Sequence, residues 1–224
     1  MYKRQKSYSD IDALKDLSID IDAGILFGIL GPNGAGKSTL IKILATLVEP
    51  DSGEVFINNI NLIKNPRKIR ELIGYVAQDI ALDKILTGRE LLDFQSDLYH
   101  MKKQDKCERI RKLINQLEMN DWIDRKCGTY SGGMKRRIDL AAGLLHLPKV
   151  LILDEPTVGL DIESRNIIWQ LLKDLKNDGM TIILSSHYLD EIDKLADSLV
   201  IIDDGKVIAQ GKPVLLKNLS LIHI

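Results

Sequence analysis

The chain has 224 residues, of which 45% are hydrophobic, and this is enough apolar material for one sizeable core with a small subdomain attached. Its 31 Lys and Arg residues almost balance its 32 Asp and Glu residues, so the formal net charge is −1. A chain without a strong net charge has no general attraction for nucleic acid or for anionic lipid. We therefore expect no nucleic-acid partner.

The cysteines and the apolar runs bear on the compartment. Cys107 and Cys127 match neither paired metal-ligand spacing nor a disulfide framework, which suits a reducing compartment and predicts a cytoplasmic location. The longest apolar runs, such as 150–153, are far shorter than the roughly 18 residues that span a bilayer. We expect no membrane span here, so if the protein serves a membrane, another chain crosses it.

The first predicted elements are a strand, a glycine-rich loop and a helix. Residues 25–30 are apolar, residues 31–36 are rich in glycine, and apolar side chains recur at helical spacing in 37–47. The loop sequence, Gly31-Pro-Asn-Gly-Ala-Gly-Lys-Ser38, has the phosphate-loop pattern in its proper context. The alternative is a glycine-rich turn that binds nothing.

This loop predicts a site for a nucleoside triphosphate. Glycines let successive backbone N–H groups point inward, where the helix N-terminus favours negative charge. Lys37 would reach the β- and γ-phosphates, and the Ser38 hydroxyl would hold Mg²⁺. The candidate nucleotide contacts are Gly31, Asn33, Gly34, Ala35, Gly36, Lys37, Ser38 and Thr39.

Two helices are predicted next. Thr87 and Glu90 form a capping box that opens a helix through Leu98, and apolar residues from Ile110 to Leu117 mark a second one. A mostly helical insert therefore interrupts the sheet from about residue 80 to 128.

A second candidate phosphate contact follows the insert. Ser131, Gly132 and Gly133 lead into an amphipathic helix, and a helix N-terminus of this composition suits a phosphate group. The alternative is an ordinary helix cap.

Residues 150–155 predict a buried strand that ends in two carboxylates. Parallel strands present their carboxyl ends at one edge of a sheet, which would place these acids beside the phosphate loop. Asp154 would hold the Mg²⁺ shell, and Glu155 could polarise the attacking water as general base. The alternative is an acidic exit from a strand.

Two further strands and a hairpin complete the pattern. Residues 181–184 and 199–202 are short β-branched and leucine-rich runs, as expected of strands covered on both faces. Asp204 and Gly205 indicate a hairpin turn. A parallel sheet sandwiched by helices is the simplest interpretation.

The order of these motifs resembles that of the ATP-binding subunits of ABC transporters, over about residues 8–213. The resemblance implies a P-loop NTPase core, an α/β fold with a mostly parallel sheet, a small antiparallel β-subdomain and an inserted α-helical subdomain. It also implies that Gln78 contacts the metal and the attacking water. Asp161 would lie in a dimer-contacting loop, His187 would touch the γ-phosphate, and Tyr8, 23 positions before Gly31, would stack on adenine.

The same resemblance implies partners. Members of the family bind two ATP molecules between two domains packed head to tail, so Ser131 to Gly133 would act on nucleotide held by a second copy. Segments such as 86–90, 131–137 and 157–161 look like those of the exporter branch with daunorubicin-resistance-type ATPases. That similarity implies a homodimer that drives a separate transmembrane permease at the cytoplasmic face of the membrane.

Other classes remain open. ABC-type ATPases of DNA repair carry long coiled coils or zinc modules between their two halves, whereas Lys37 and Ser131 are only 94 positions apart without heptads or Cys clusters. Translation-associated members carry two such domains in one chain. A regulator without turnover would have lost Glu155 or His187, and both are present.

The two ends carry expectations of their own. We expect one domain over 1–218 with a shortened N-terminal edge strand, because only seven residues precede Tyr8. We expect residues 219–224 to be a non-native tail outside the fold.

Overall fold

The computed structural model describes residues 4–8 and 11–220 of the chain, with side chains from Ala13 to Lys217. The strands of this part are β1 (Arg4–Tyr8), β2 (Ile11–Leu17), β3 (Leu26–Leu30), β4 (Ser52–Gly53), β5 (Phe56–Ile57), β6 (Ile60–Asn61), β7 (Ile73–Val76), β8 (Val150–Asp154), β9 (Thr181–Ser186), β10 (Ser198–Asp203) and β11 (Lys206–Gly211). The helices are α1 (Lys37–Leu44), α2 (Pro66–Leu72), α3 (Gly88–Leu98), α4 (Lys103–Gln116), α5 (Gly132–Leu144), α6 (Ile162–Asn177), α7 (Leu189–Leu195) and α8 (Pro213–Ser220), with a 3-10 turn at Cys127–Thr129.

The central sheet has six strands in the order β11-β10-β3-β9-β8-β7. The five strands from β10 to β7 pair in parallel, and β11 pairs antiparallel with β10 at one edge. Helices cover both faces, so the inner strands are mostly apolar, and polar residues occur at the carboxyl ends of β8 (Asp154) and β9 (Ser185 and Ser186). The predicted α/β class with a mostly parallel sheet is confirmed.

Alternate residues of the inner strands enter two different cores. Leu151 and Leu153 of β8 pack with α5, α6 and the helical segment, whereas Ile152 packs on the other face with α1 and β2. This alternation follows from the two-residue period of a strand. The sheet therefore separates a helical layer from the layer that carries the phosphate loop.

The register of the sheet sets where the site lies. Leu30 of β3 is opposite Ser186 of β9, and Asp154 of β8 is opposite Ser185. Because these strands are parallel, the loops that follow them leave from the same edge. The residues after β3, β8 and β9 thus come together.

A second sheet of three short strands has the order β2-β1-β4 and is antiparallel. Leu14 and Leu17 of β2 are fully buried beneath it, in the core that contains α1. In the backbone, β1 pairs on one side with β2 and on the other with β4, and it ends at Tyr8.

The segment predicted to be a helical insert contains α3, α4 and the 3-10 turn. The predicted capping box is confirmed: the Thr87 hydroxyl accepts from the Glu90 N–H at 3.2 Å, and the Glu90 carboxylate accepts from the Thr87 N–H at 2.8 Å. The Tyr130 hydroxyl joins this segment to α5, because it accepts from the Gly88 N–H at 3.0 Å.

The predicted hairpin turn at Asp204 and Gly205 is confirmed, and both residues have positive φ, at 44° and 72°. Two such residues form the turn whose twist suits a two-residue hairpin. The sequence did not predict which part of the fold this turn contacts. The Gly205 N–H donates to the carbonyl of Ala35 at 3.1 Å, so the turn packs against the phosphate loop.

At the carboxyl end, α8 continues to Ser220 and so includes two residues of the tail expected at 219–224. Residues 221–224 lie outside the described part of the chain.

Candidate functional site

The loop between β3 and α1 has a backbone that requires glycine. Gly36 has φ of 101°, and a Cβ added there would lie 2.5 Å from the carbonyl oxygen of Ala13. A Cβ at Gly31 would overlap the carbonyl oxygen of Ile202. The loop is thus held closely between β2 and β10, and α1 begins directly after it at Lys37.

Lys37 is the buried cation of the loop, with 5% of its surface exposed. Its ammonium donates to the carbonyl oxygens of Gly31 at 2.8 Å and Pro32 at 3.0 Å. It also lies 3.7 Å from Oε1 of Glu155. These contacts compensate for burial of the charge and hold it at the mouth of the loop.

Asp154 ends β8 beside the first turn of α1. Its Oδ1 accepts from the Ser38 hydroxyl at 3.3 Å and from the Ser185 hydroxyl at 2.6 Å. Hydroxyl and carboxylate oxygens are ligands that suit Mg²⁺, which usually binds one or two protein groups together with phosphate and water. Among the described residues, no cluster of three or more His, Cys, Asp or Glu could hold a metal alone. The pair therefore fits Mg²⁺ that arrives with a nucleotide.

Glu155 turns away from the strand. Its φ is 47°, a conformation that costs a non-glycine residue about 1 kcal/mol and is found mostly where surrounding contacts enforce it. Its N–H donates to the Ser185 hydroxyl at 3.0 Å, which anchors the turn. The Glu155 carboxylate consequently lies beside the Lys37 ammonium of the phosphate loop.

Two other predicted catalytic residues meet this carboxylate. His187 Nδ1 lies 3.1 Å from Oε1 of Glu155, and the Gln78 amide donates to Oε2 at 3.4 Å. His187 follows β9 and Gln78 lies two residues after β7, on either side of β8 in the sheet. Three residues far apart in sequence are thus brought to one point.

These groups line a cleft of about 530 Å³. Its lining contains Asn33, Gly34, Gly36, Lys37, Ser38, Thr39, Gln78, Glu155, Val158 and His187, together with Ala13, Asp204 and Gly205. A larger cavity of about 830 Å³ lies at the opposite ends of the strands, near Phe27, Val150 and Thr181. None of the predicted site residues with described side chains lines that larger cavity, whereas Lys37, Glu155 and His187 are among those that line the smaller cleft.

Ser131, Gly132 and Gly133 do not line this cleft. Ser131 caps α5, since its hydroxyl accepts from the Met134 N–H at 3.3 Å, and Ser131 and Gly132 are exposed. Gly133 is buried, and a Cβ there would overlap the hydroxyl of Ser164. The N-terminus of α5 therefore faces outward, away from the chain's own phosphate loop.

Asp161 also lies outside the cleft, at the N-cap of α6. Its carboxylate accepts from the Ser164 N–H at 2.7 Å and from the Ser164 hydroxyl at 2.9 Å. Hydrogen bonds from the Ser164 backbone and side chain lower the pKa of Asp161. The side chain of Tyr8 lies outside the described residues.

Sequence reasoning missed three polar residues around the cleft, of which Ser185 has been described. Glu191 of α7 is 3% exposed, and its carboxylate accepts from Thr157 at 2.5 Å, Trp169 at 3.0 Å and Ser186 at 2.8 Å. It thus joins the segment after β8 and the end of β9 to α6.

Arg136 of α5 is the third missed residue. Its guanidinium is 3% exposed and donates to the carbonyl oxygens of Ala77 and Gln78. A signal for both residues was present in the sequence, namely a charged residue among positions predicted to be buried. Arg136 lies on the same helix face as Gly133 and Leu140. Glu191 adjoins the buried Ile192.

In the described part of the chain, no helix has the length and apolar character needed to cross a membrane.

Comparison with known proteins identifies the family. A family model described as ABC transporter matches residues 14–158, and a model described as an AAA domain matches residues 125–193. The daunorubicin resistance ATP-binding protein DrrA2 of Streptomyces coeruleorubidus is 42% identical over 96% of this chain and 67% of its own length. The daunorubicin/doxorubicin resistance ATP-binding protein DrrA of Streptomyces peucetius is 42% identical over 95% of this chain and 64% of its own.

A solved dimeric structure of MJ0796, a bacterial ABC transporter cassette, superposes with a TM-score of 0.86 at 30% identity, covering 95% of this chain and 99% of that one. The chain thus spans about two thirds of the length of the two curated relatives, at 67% and 64%, but nearly all of a solved cassette. The chain belongs to the ABC transporter family and has the fold of that family's ATP-binding cassettes.

Proposed function

We propose that this chain binds ATP with Mg²⁺, hydrolyses it, and drives a separate transmembrane permease that exports a small molecule. The observation that carries this proposal is the convergence of Gln78 and His187 on the carboxylate of Glu155. That carboxylate in turn lies 3.7 Å from the Lys37 ammonium of the phosphate loop.

Binding would use the backbone of the loop and one side chain. The N–H groups of residues 33–39 and the N-terminus of α1 favour the negative charge of the phosphates. The Lys37 ammonium, now on the carbonyls of Gly31 and Pro32, is within reach of a phosphate entering the cleft. Tyr8 would stack on adenine.

Ser38, Asp154 and Gln78 would hold Mg²⁺. When bound, this ion neutralises charge on the β- and γ-phosphates. Ser185, which donates to Asp154, keeps that carboxylate oriented toward Ser38.

Glu155 would act as the general base. The oxygen of water attacks the γ-phosphorus, the water proton passes to the Glu155 carboxylate, and the bond between the γ-phosphorus and ADP breaks. Gln78 would orient the water, and His187 would contact the γ-phosphate. The close approach of both side chains to Glu155 supports this arrangement.

A second copy of the chain would complete each site. Ser131 and Gly132 are exposed at a helix N-terminus that cannot reach the chain's own cleft, and they would contact the γ-phosphate held by the other copy. Asp161, on the neighbouring N-cap of α6, would lie at the same interface. The dimeric structure of MJ0796 supports a homodimer. Head-to-tail packing would bring the α5 N-terminus of each copy to the phosphate loop of the other.

The names of two relatives, resistance proteins for daunorubicin or doxorubicin, support export of a small molecule. The chain would then act at the cytoplasmic face of the membrane. The alternative is an ABC-type ATPase of DNA repair or translation. A neighbouring reading frame with about six apolar spans would favour export. A nuclease or coiled-coil gene there would favour the alternative.

Replacement of Glu155 by Gln tests the catalytic role. The amide keeps the shape of the side chain but cannot accept the proton, so turnover should fall by about 10² or more while ATP and Mg²⁺ still bind. Steady-state phosphate release measures turnover, and a fluorescent ATP analogue measures binding. ATP should also trap the variant as a dimer in size-exclusion chromatography.

The matched control is Glu108→Gln, the same chemical change at an exposed position on α4. It should leave turnover within about twofold. Near-normal turnover in Glu155→Gln would remove Glu155 from the mechanism and direct attention to His187 or Gln78.

A further inference from the structure

Arg136 is a buried cation that the proposed chemistry does not use. It lies on α5, five residues after Ser131, and only 3% of its surface is exposed. Burial lowers the pKa of the guanidinium, while the nearby Asp139 carboxylate, at 3.5 Å, opposes that shift. A guanidinium is retained in such a place only when its N–H groups are well paired.

The partners of Arg136 belong to the catalytic loops. Nη1 donates to the carbonyl oxygen of Ala77 at 2.6 Å, and Nη2 donates to that of Gln78 at 2.9 Å. Nη2 also lies 3.5 Å from the carbonyl oxygen of Glu155. The backbones of two proposed catalytic residues are therefore held by one rigid fork.

The guanidinium connects, within one chain, the helix that would contact the second copy's nucleotide with the loops that would act on the chain's own nucleotide. Its helix is capped by Ser131, which would contact nucleotide held by the second copy. Two of its three carbonyl partners belong to Gln78 and Glu155, which would act on the chain's own nucleotide. A shift of α5 moves the guanidinium, and the two carbonyls must follow or lose their hydrogen bonds.

We propose that Arg136 is a positioning residue for hydrolysis, which fixes Gln78 and Glu155 according to the position of the helix that carries Ser131. This inference rests on the proposed function and adds to it the connection between the two half-sites. Arg136 does not touch nucleotide in this scheme, so its loss affects turnover more than ATP binding.

Arg109 provides a matched control. It is also a buried arginine, 8% exposed, and its guanidinium donates to a single carbonyl, that of Leu144 at the other end of α5, at 2.6 and 3.3 Å. It therefore shares the burial, charge and helix contact of Arg136 without contact to a catalytic loop.

The experiment compares Arg136→Lys with Arg109→Lys and the wild type. Lysine keeps the charge but replaces the planar fork by one nitrogen, which cannot reproduce both carbonyl contacts in the same geometry. For Arg136→Lys, kcat should fall at least about tenfold, because small displacements of catalytic groups cost this much or more. Arg109→Lys should keep kcat within about twofold even where both variants lose similar stability.

Two further readouts separate positioning from folding. Turnover is expressed per folded molecule, with the folded fraction taken from urea unfolding. ATP binding to Arg136→Lys should stay within about twofold of wild type, and the double variant with Glu155→Gln should still form an ATP-dependent dimer.

Each result decides the question. A normal kcat for Arg136→Lys beside an active wild type would overturn the inference and leave the proposed function intact. Parallel losses of turnover, ATP binding and dimer formation in Arg136→Lys would show a structural role and overturn it as well. A wild-type chain without ATP hydrolysis would overturn the proposed function and this inference together.

Discussion

Asp139 is a carboxyl group on α5 whose pKa is raised to about 6, because burial outweighs the attraction of Arg136. The raised pKa means that the folded chain holds the proton more tightly than the unfolded chain does. Stability from this group is full below the unfolded pKa near 3.8 and is lost as pH rises through about 6. At neutral pH the folded state therefore carries an unfavourable charge on a side chain that is only 25% exposed.

We predict that Asp139→Asn stabilises the protein at pH 7.5 by about 1–3 kcal/mol, because an amide does not ionise. The gain should be much smaller near pH 4, where the folded carboxyl is protonated and the unfolded one is only about half ionised. Urea unfolding at the two pH values measures the difference.

Asp124 is a control of opposite sign. Its hydrogen bond from Arg89 lowers its pKa, so this carboxylate stabilises the folded state at neutral pH and loses that effect as pH falls. Asp124→Asn should therefore weaken the protein slightly at pH 7.5. The raised pKa of Asp139 would be contradicted if Asp139→Asn stabilised the protein, relative to wild type, less at pH 7.5 than at pH 4.

Tyr130, which lies two residues before α5, ties that helix to the helical segment. Its hydroxyl accepts from the Gly88 N–H at 3.0 Å and lies 3.0–3.2 Å from the carbonyl oxygens of Trp122, Ile123 and Arg125. Burial, the largest cause, raises the pKa of Tyr130 to about 12, so the hydroxyl keeps its proton and can donate.

We predict that Tyr130→Phe destabilises the protein by about 1–2 kcal/mol, because it leaves the buried N–H of Gly88 without this acceptor. Chemical denaturation measures the loss. The matched control is Tyr99→Phe, at a tyrosine that is 43% exposed, which should change stability by less than about 0.5 kcal/mol. Equal losses in the two variants would show that the Tyr130 hydroxyl does not join the elements.

Elements with strong local signals could be predicted from sequence. The strand, loop and helix around Lys37, the capping box at Thr87 and the hairpin at Gly205 each depend on residues within a few positions of one another. Local rules of capping, turn geometry and periodicity are sufficient for such features.

Contacts between distant elements could not be predicted in this way. The carboxylate of Glu191 joins β9, α6 and the segment after β8, and Arg136 reaches loops 58 and 59 positions away. Nothing local specifies such partners, because they depend on how the sheet and helices pack. The placement of the hairpin turn on Ala35 was missed for the same reason.

The proposed function requires the exposed N-terminus of α5 from a second chain to complete the cleft of the first. Gly132 is suited to a test of this arrangement, since an added Cβ would meet no atom within 4 Å in the described structure. A side chain at this position therefore fits the single chain and should interfere only with a partner's phosphate. Gly133 would not serve, because a Cβ there overlaps Ser164.

We predict that Lys37→Ala and Gly132→Asp are each inactive alone and regain ATPase activity when mixed. In a mixed dimer, the intact phosphate loop of the Gly132→Asp chain meets the intact α5 N-terminus of the Lys37→Ala chain, which restores one complete site. Random assortment would give about a quarter of wild-type activity, since half of the dimers are mixed and each holds one intact site of two. Phosphate release is measured for each variant and for the mixture, and wild-type specific activity is followed on dilution as a control. If sites are shared, that specific activity should fall as the dimer dissociates. A mixture as inactive as its components, beside a wild-type specific activity independent of dilution, would show that each chain completes its own site.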